Sequence, residues 1–188
     1  MAIFFYVGVE VGIPNTANLY MSNNPAVGPA IAGTIVGLYW LMMMFGRLLG
    51  GAVGGKVSSK AMLTTVSGLA IAMLVCVMFF PEAWVVTFKG IELPVSMILM
   101  FLCGLMTSVM WGAIFNLAAE GLGKYTPAAS GIFMALVCGG GILPFFQNLL
   151  ADHTNYLISY IVPIIGLLYI LFYALIGSKN VNKDIPTE

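Results

Sequence analysis

Six long apolar runs, separated by short polar breaks, make up almost the whole chain. The runs cover roughly residues 2–22, 28–50, 61–80, 93–119, 128–150 and 155–177. Each is close to or above the roughly 20 residues that a helix needs to cross a hydrocarbon layer about 30 Å thick. The breaks read "SNNPAVGP", "GGKVSSK", "PEAWVVTFKGIELP", "EGLGKYTPA" and "ADHTNY", all rich in turn formers or charge. Lipid offers no partner to backbone N–H and C=O groups, so runs of this length are predicted to be helices that satisfy their own backbone. The expectation is an all-α membrane protein, with a six-helix transmembrane bundle over residues 1–178 and a short polar tail over 179–188.

Composition narrows the function. Of the 188 residues, 61% are hydrophobic and only 7% charged, against about 25% charged in an ordinary soluble domain. No soluble domain has room beside six spans. A formal net charge of zero and the lack of a polybasic stretch argue against a nucleic-acid partner. Cys76, Cys103 and Cys138 all fall inside apolar runs, where cysteine packs as a small hydrophobe rather than forming a disulfide framework or a metal site. A single histidine, His153, and no nucleophile, metal or phosphate motif at the required spacing argue against an enzyme, and no cofactor is expected.

Charge placement predicts orientation. With six alternating spans, Arg47, Lys56, Lys60, Lys124, Lys179 and Lys183 fall on one side and Lys89 on the other. Basic residues are enriched on the cytoplasmic side, so both ends of the chain are expected there, in a cell (inner) membrane. The first run lacks a basic lead-in and a small-residue cleavage site, which makes it a helix rather than a secretory signal.

The runs also differ in kind. The first and fourth carry intramembrane polar residues: Glu10, Asn15 and Asn18 in one, Thr107, Ser108, Trp111 and Asn116 in the other. The second and fifth are rich in glycine, and the third and sixth are the plainest. A polar, a glycine-rich and a plain helix, repeated twice, is the pattern of a three-plus-three inverted repeat whose first members line a cavity.

Four stretches, "FFYVGVEVGI" (4–13), "GRLLGGAVGGKVSSK" (46–60), "MWGAIFNLAAEGLGKYT" (110–126) and "ASGIFMALVCGGGILPFFQNLLAD" (129–152), resemble in this order the C-terminal half of the fucose/glucose/galactose:proton symporters of the major facilitator superfamily. The resemblance implies helices seven to twelve of a twelve-helix secondary transporter. It further implies a sugar or similar small polar solute, a proton as the coupling ion, and alternating access. The partner is then a missing N-terminal six-helix half; a half-size transporter working as a homodimer and a non-transporting scaffold are the alternatives. The second stretch also resembles the superfamily's cytoplasmic loop motif at Arg47, Gly51, Lys56 and Lys60, although Gly55 stands where an aspartate is usual and Ser58 replaces the second glycine. In the fourth run, Trp111-Gly112-Ala113 departs from the aromatic-Pro-Thr common in that family.

Glu10 is the residue that most needs a reason. An ionised acid in the hydrocarbon core costs about 2.5 to 3.5 kcal/mol on insertion scales, so it is expected to serve as a proton acceptor on a solute path, or as a neutral acid bonded between helices. Helical spacing puts Tyr6, Glu10 and Pro14 on one face, with Asn18 at its edge. Asn15 lies more than a quarter turn away, and Pro14 can kink the helix enough to change its aim. In symporters resembling this chain, amides, acids and aromatic faces hold sugar hydroxyls. The solute-binding set is accordingly Glu10, Asn15, Asn18, Tyr39, Trp111, Asn116, Gln147 and Asn148, with no metal site.

Overall fold

A computed structural model describes residues 1–25, 27–80, 84–88 and 91–179. Lys89, Lys183 and the tail beyond residue 179, which entered the orientation and tail assignments above, lie outside the described residues. The helices are α1 (Ala2–Ser22), α2 (Gly28–Gly54), α3 (Ser59–Phe79), α4 (Val95–Thr107), α5 (Met110–Ala119), α6 (Thr126–Ala135), α7 (Gly139–His153) and α8 (Ile161–Phe172). Single 3-10 turns at Gly123–Tyr125, Leu136–Cys138 and Ile158–Tyr160 extend or join the later helices, and a π-helical turn at Tyr173–Gly177 closes α8. The protein is an all-α, multi-pass membrane protein.

Among the described residues, five stretches are long and apolar enough to cross a membrane: Gly28–Gly54, Ser59–Phe79, Val95–Ala119, Gly123–His153 and Ile158–Gly177. The α1 helix matches α3 in length, 21 residues each, but Glu10, Asn15 and Asn18 make it less apolar. Its place in the bundle accounts for this. Thirteen of its 21 residues are buried, against five of 27 in α2, so α1 is a central helix that presents little surface to lipid.

The α1 helix lies against α7, α2 and α8, while the α4–α5 segment lies against α2 and α3; α3 and α8 also touch each other. Glycines allow the closest approaches. A Cβ at Gly139 would strike the Phe4 carbonyl, so backbones meet there with no side chain between them, and one at Gly46 would strike the Ser108 hydroxyl.

Two local features depart from a simple reading of the breaks. The third break contains an antiparallel hairpin, β1 (Val85–Phe88) paired with β2 (Ile91–Pro94), with Val85 opposite Pro94 and Phe88 opposite Ile91. Its β-branched and aromatic residues favour a pleated pair even though the segment is too short and polar to read as part of a sheet. The fourth span is interrupted at Ser108 and Val109, between α4 and α5, where the Ser108 hydroxyl donates to the Leu105 carbonyl at 2.6 Å. Side-chain bonding of this kind competes with the helix ladder. Elsewhere the ends are conventional: Gly28 takes φ +75° at the start of α2, a value that glycine tolerates without steric cost, and the Ser58 side chain caps α3 by accepting from the Ala61 N–H at 3.2 Å.

Candidate functional site

The site is built outward from Glu10. One turn earlier on α1, Tyr6 places its hydroxyl on the same face, and it donates to Glu10 Oε1 at 2.8 Å. From α2, Arg47 Nη2 donates to the same oxygen at 3.0 Å, forming an ion pair. Met43 Sδ, one turn before Arg47, lies 3.4 Å from the same nitrogen. The Glu10 side chain is 11% exposed and that of Arg47 57%. The acid is thus nearly enclosed, and its cationic partner bridges it to open space. A charge placed this deep needs a paired, hydrogen-bonded partner, and Glu10 has both kinds of contact.

That open space is a cavity of about 720 Å³, lined among others by Glu10, Arg47, Gly51, Ser108, Trp111 and Asn116. It lies toward the end of the bundle that carries the α2–α3 turn. The half-buried Trp111 ring packs edge-on to Tyr6, with centroids 6.1 Å apart, and to Phe133 at 5.5 Å. Asn116 Nδ2 sits 3.5 Å from Ser59 Oγ. The cavity thus offers an acid, a cation, an aromatic ring and an amide, a donor and acceptor set suited to a polyhydroxylated solute.

The other residues singled out from sequence fall elsewhere. Tyr39 is 1% exposed and lies behind the cavity, with its hydroxyl bonded to the Glu10 carbonyl at 3.1 Å. Asn15 is exposed and Asn18 half-buried; Asn18 Oδ1 accepts from the Ser22 hydroxyl at 2.9 Å. Gln147 is buried, and Asn148 accepts from the Thr16 hydroxyl at 3.1 Å, so these amides sit in the α1–α7 contact. Lys60 Nζ donates to the Leu175 carbonyl at 3.0 Å, where a cation favours a helix C-terminal end. Lys56 is exposed on the α2–α3 turn.

Arg47 is the residue whose place the sequence did not convey. Its spacing to Gly51, Lys56 and Lys60 matches a loop motif, yet it reaches Glu10 across 37 positions of chain. A signal for it was present, since an arginine inside one apolar run and a glutamate inside another are complementary charges with few other places to go.

No protein-family model and no solved structure matches the chain. Curated proteins do. A glucose/galactose transporter of Brucella abortus biovar 1 (strain 9-941) is 34% identical over 182 residues, which is 96% of this chain and 42% of that protein. The Brucella abortus (strain 2308) glucose/galactose transporter aligns with the same figures. A similarly named protein of Helicobacter pylori (strain J99) is 30% identical over 185 residues, 96% of this chain and 43% of that protein. The chain is a homologue of these glucose/galactose transporters. It spans about two-fifths of the length of the curated relatives that it matches.

Proposed function

We propose that the chain is the C-terminal six-helix half of a secondary active transporter of the major facilitator type, moving a hexose or a similar small polar solute by alternating access with a proton as coupling ion. The observation that carries this reading is the paired charge at the cavity wall. Glu10, held by Arg47 and Tyr6, opens onto about 720 Å³ shared with Trp111 and Asn116, and this volume falls within the roughly 300–1,000 Å³ typical of small-molecule sites.

Each lining group has a part. The Glu10 carboxyl accepts sugar hydroxyls and takes up the coupling proton. Arg47 carries donor N–H groups beyond the one committed to Glu10. Trp111 covers the apolar face of the ring, and Asn116 offers both a donor and an acceptor. Gln147 and Asn148 hold α7 on α1, and Asn15 and Asn18 border the approach from the opposite end. The twice-repeated order of polar, glycine-rich and plain runs supports an inverted repeat of three plus three, in which α1 and the α4–α5 segment face the solute path. Both chain ends lie in the cytoplasm and the bundle in the inner membrane, as the excess of Lys and Arg near the α2–α3 turn supports. The remaining wall of the path comes from the part of the longer relatives that this chain does not match.

The test is uptake of radiolabelled glucose and galactose into proteoliposomes containing the complete reading frame that carries this chain. Saturable uptake, inhibited by the other sugar and stimulated by an inward proton gradient, is expected. Absence of saturable uptake of either sugar, in protein that remains folded in detergent, would overturn the assignment.

A further inference from the structure

Pro14 lies inside α1, and proline has no N–H to donate. The carbonyl that it leaves without an intrahelical donor is four residues back, on Glu10. This carbonyl is the one that Tyr39 of α2 takes up, its hydroxyl donating at 3.1 Å. The same Tyr39 oxygen lies 3.2 Å from Thr107 Oγ1, whose alternative acceptor is the Cys103 carbonyl, also at 3.2 Å. Thr107 is the last residue of α4, immediately before the interruption at Ser108 and Val109. One phenol therefore joins the backbone of the cavity acid to the broken point of the fourth span. Tyr39 is 1% exposed and absent from the cavity wall, so it acts on Glu10 without touching the solute.

We propose that Tyr39 is a positioning residue for Glu10. It replaces the hydrogen bond removed by Pro14, holds α1 at the height where the carboxyl meets Arg47, and ties this position to the α4–α5 break. The consequence for transport rests on the transporter reading above, whereas the positioning itself does not. Proline is what makes Tyr39 necessary. Because α1 continues as a helix through residue 14, an alanine there would direct its N–H at the Glu10 carbonyl and supply the missing bond.

The test is a cycle of Tyr39→Phe, Pro14→Ala and the double variant in the complete reading frame, with Thr107→Val as a second probe of the same link. Two quantities are read. One is the half-saturation constant of glucose or galactose uptake against its maximal rate; the other is the infrared band of the Glu10 carboxyl, assigned by its loss in Glu10→Gln. Leaving a buried carbonyl unpaired in Tyr39→Phe is expected to raise the half-saturation constant by about tenfold, with the maximal rate within about twofold, and to move the Glu10 band. Thr107→Val moves both in the same direction by less. Adding Pro14→Ala to Tyr39→Phe returns both to near wild type. An unmoved Glu10 band in Tyr39→Phe, or a defect that Pro14→Ala does not relieve, overturns the proposal. Should the wild type take up neither sugar, the transport reading falls and the infrared band alone decides the role of Tyr39.

Discussion

Two polar clusters lie along α1, and they differ in what surrounds them. Glu10, Tyr6 and Arg47 form a charged cluster at the wall of a large cavity. Less than two turns further on, Thr16, Gln147 and Asn148 form a neutral cluster inside the α1–α7 contact. Gln147 is 1% exposed, and its Nε2 has no partner among the described residues. Along α1 the charged group faces the cavity, while amides and hydroxyls join the helix to α7. An unpaired amide is a moderate cost; an unpaired carboxylate at the same depth is a larger one.

The contrast is tested most severely by removing the cation. Arg47→Ala strands the Glu10 carboxylate, and breaking a buried pair in this way costs about 3–5 kcal/mol, less here because Arg47 is more than half exposed. Uptake below about a tenth of wild type is expected, with a lowered detergent unfolding temperature that Glu10→Gln in the same chain largely restores. Full uptake by Arg47→Ala would show that the pair is incidental.

Gly139→Val probes the neutral interface instead. Its side chain would meet the Phe4 carbonyl, and overpacking of this sort costs about 1–3 kcal/mol. The unfolding temperature should fall, whereas Gly141→Ala, which faces open space, should leave it unchanged. The smallest effects belong to the amides. Thr16→Val should lose about 0.5–1.5 kcal/mol of stability with the bond to Asn148. Gln147→Met should be neutral or slightly stabilising, since it removes an unpartnered donor. Loss of uptake in folded Gln147→Met protein would move the solute site toward the second cluster.

Much of this was legible in the sequence because hydrophobic length and local spacing are direct signals. The all-α membrane class follows from apolar runs, and the sharing of a face by Tyr6 and Glu10 follows from a four-residue interval. What was not legible depends on contacts between distant segments. Arg47 read as a loop residue because its neighbours Gly51 and Lys56 match a loop motif, and nothing local points it back at Glu10. Tyr39 read as a solute contact because symporters resembling this chain hold sugars with aromatic faces as well as amides and acids. Its bond to the carbonyl freed by Pro14 depends on how α2 crosses α1, which spacing does not encode. The interruption at Ser108 carries no proline or glycine at its centre, so the fourth run read as one continuous helix.

The central claim is that Glu10 couples proton movement to solute movement at this cavity. It is tested most directly by comparing gradient-driven uptake with sugar exchange at equal pH in wild type and Glu10→Gln. The expected result is that Glu10→Gln, with the carboxylate replaced by a neutral amide of the same shape, retains exchange but loses accumulation driven by an inward proton gradient. Gradient-driven accumulation undiminished in Glu10→Gln would contradict it.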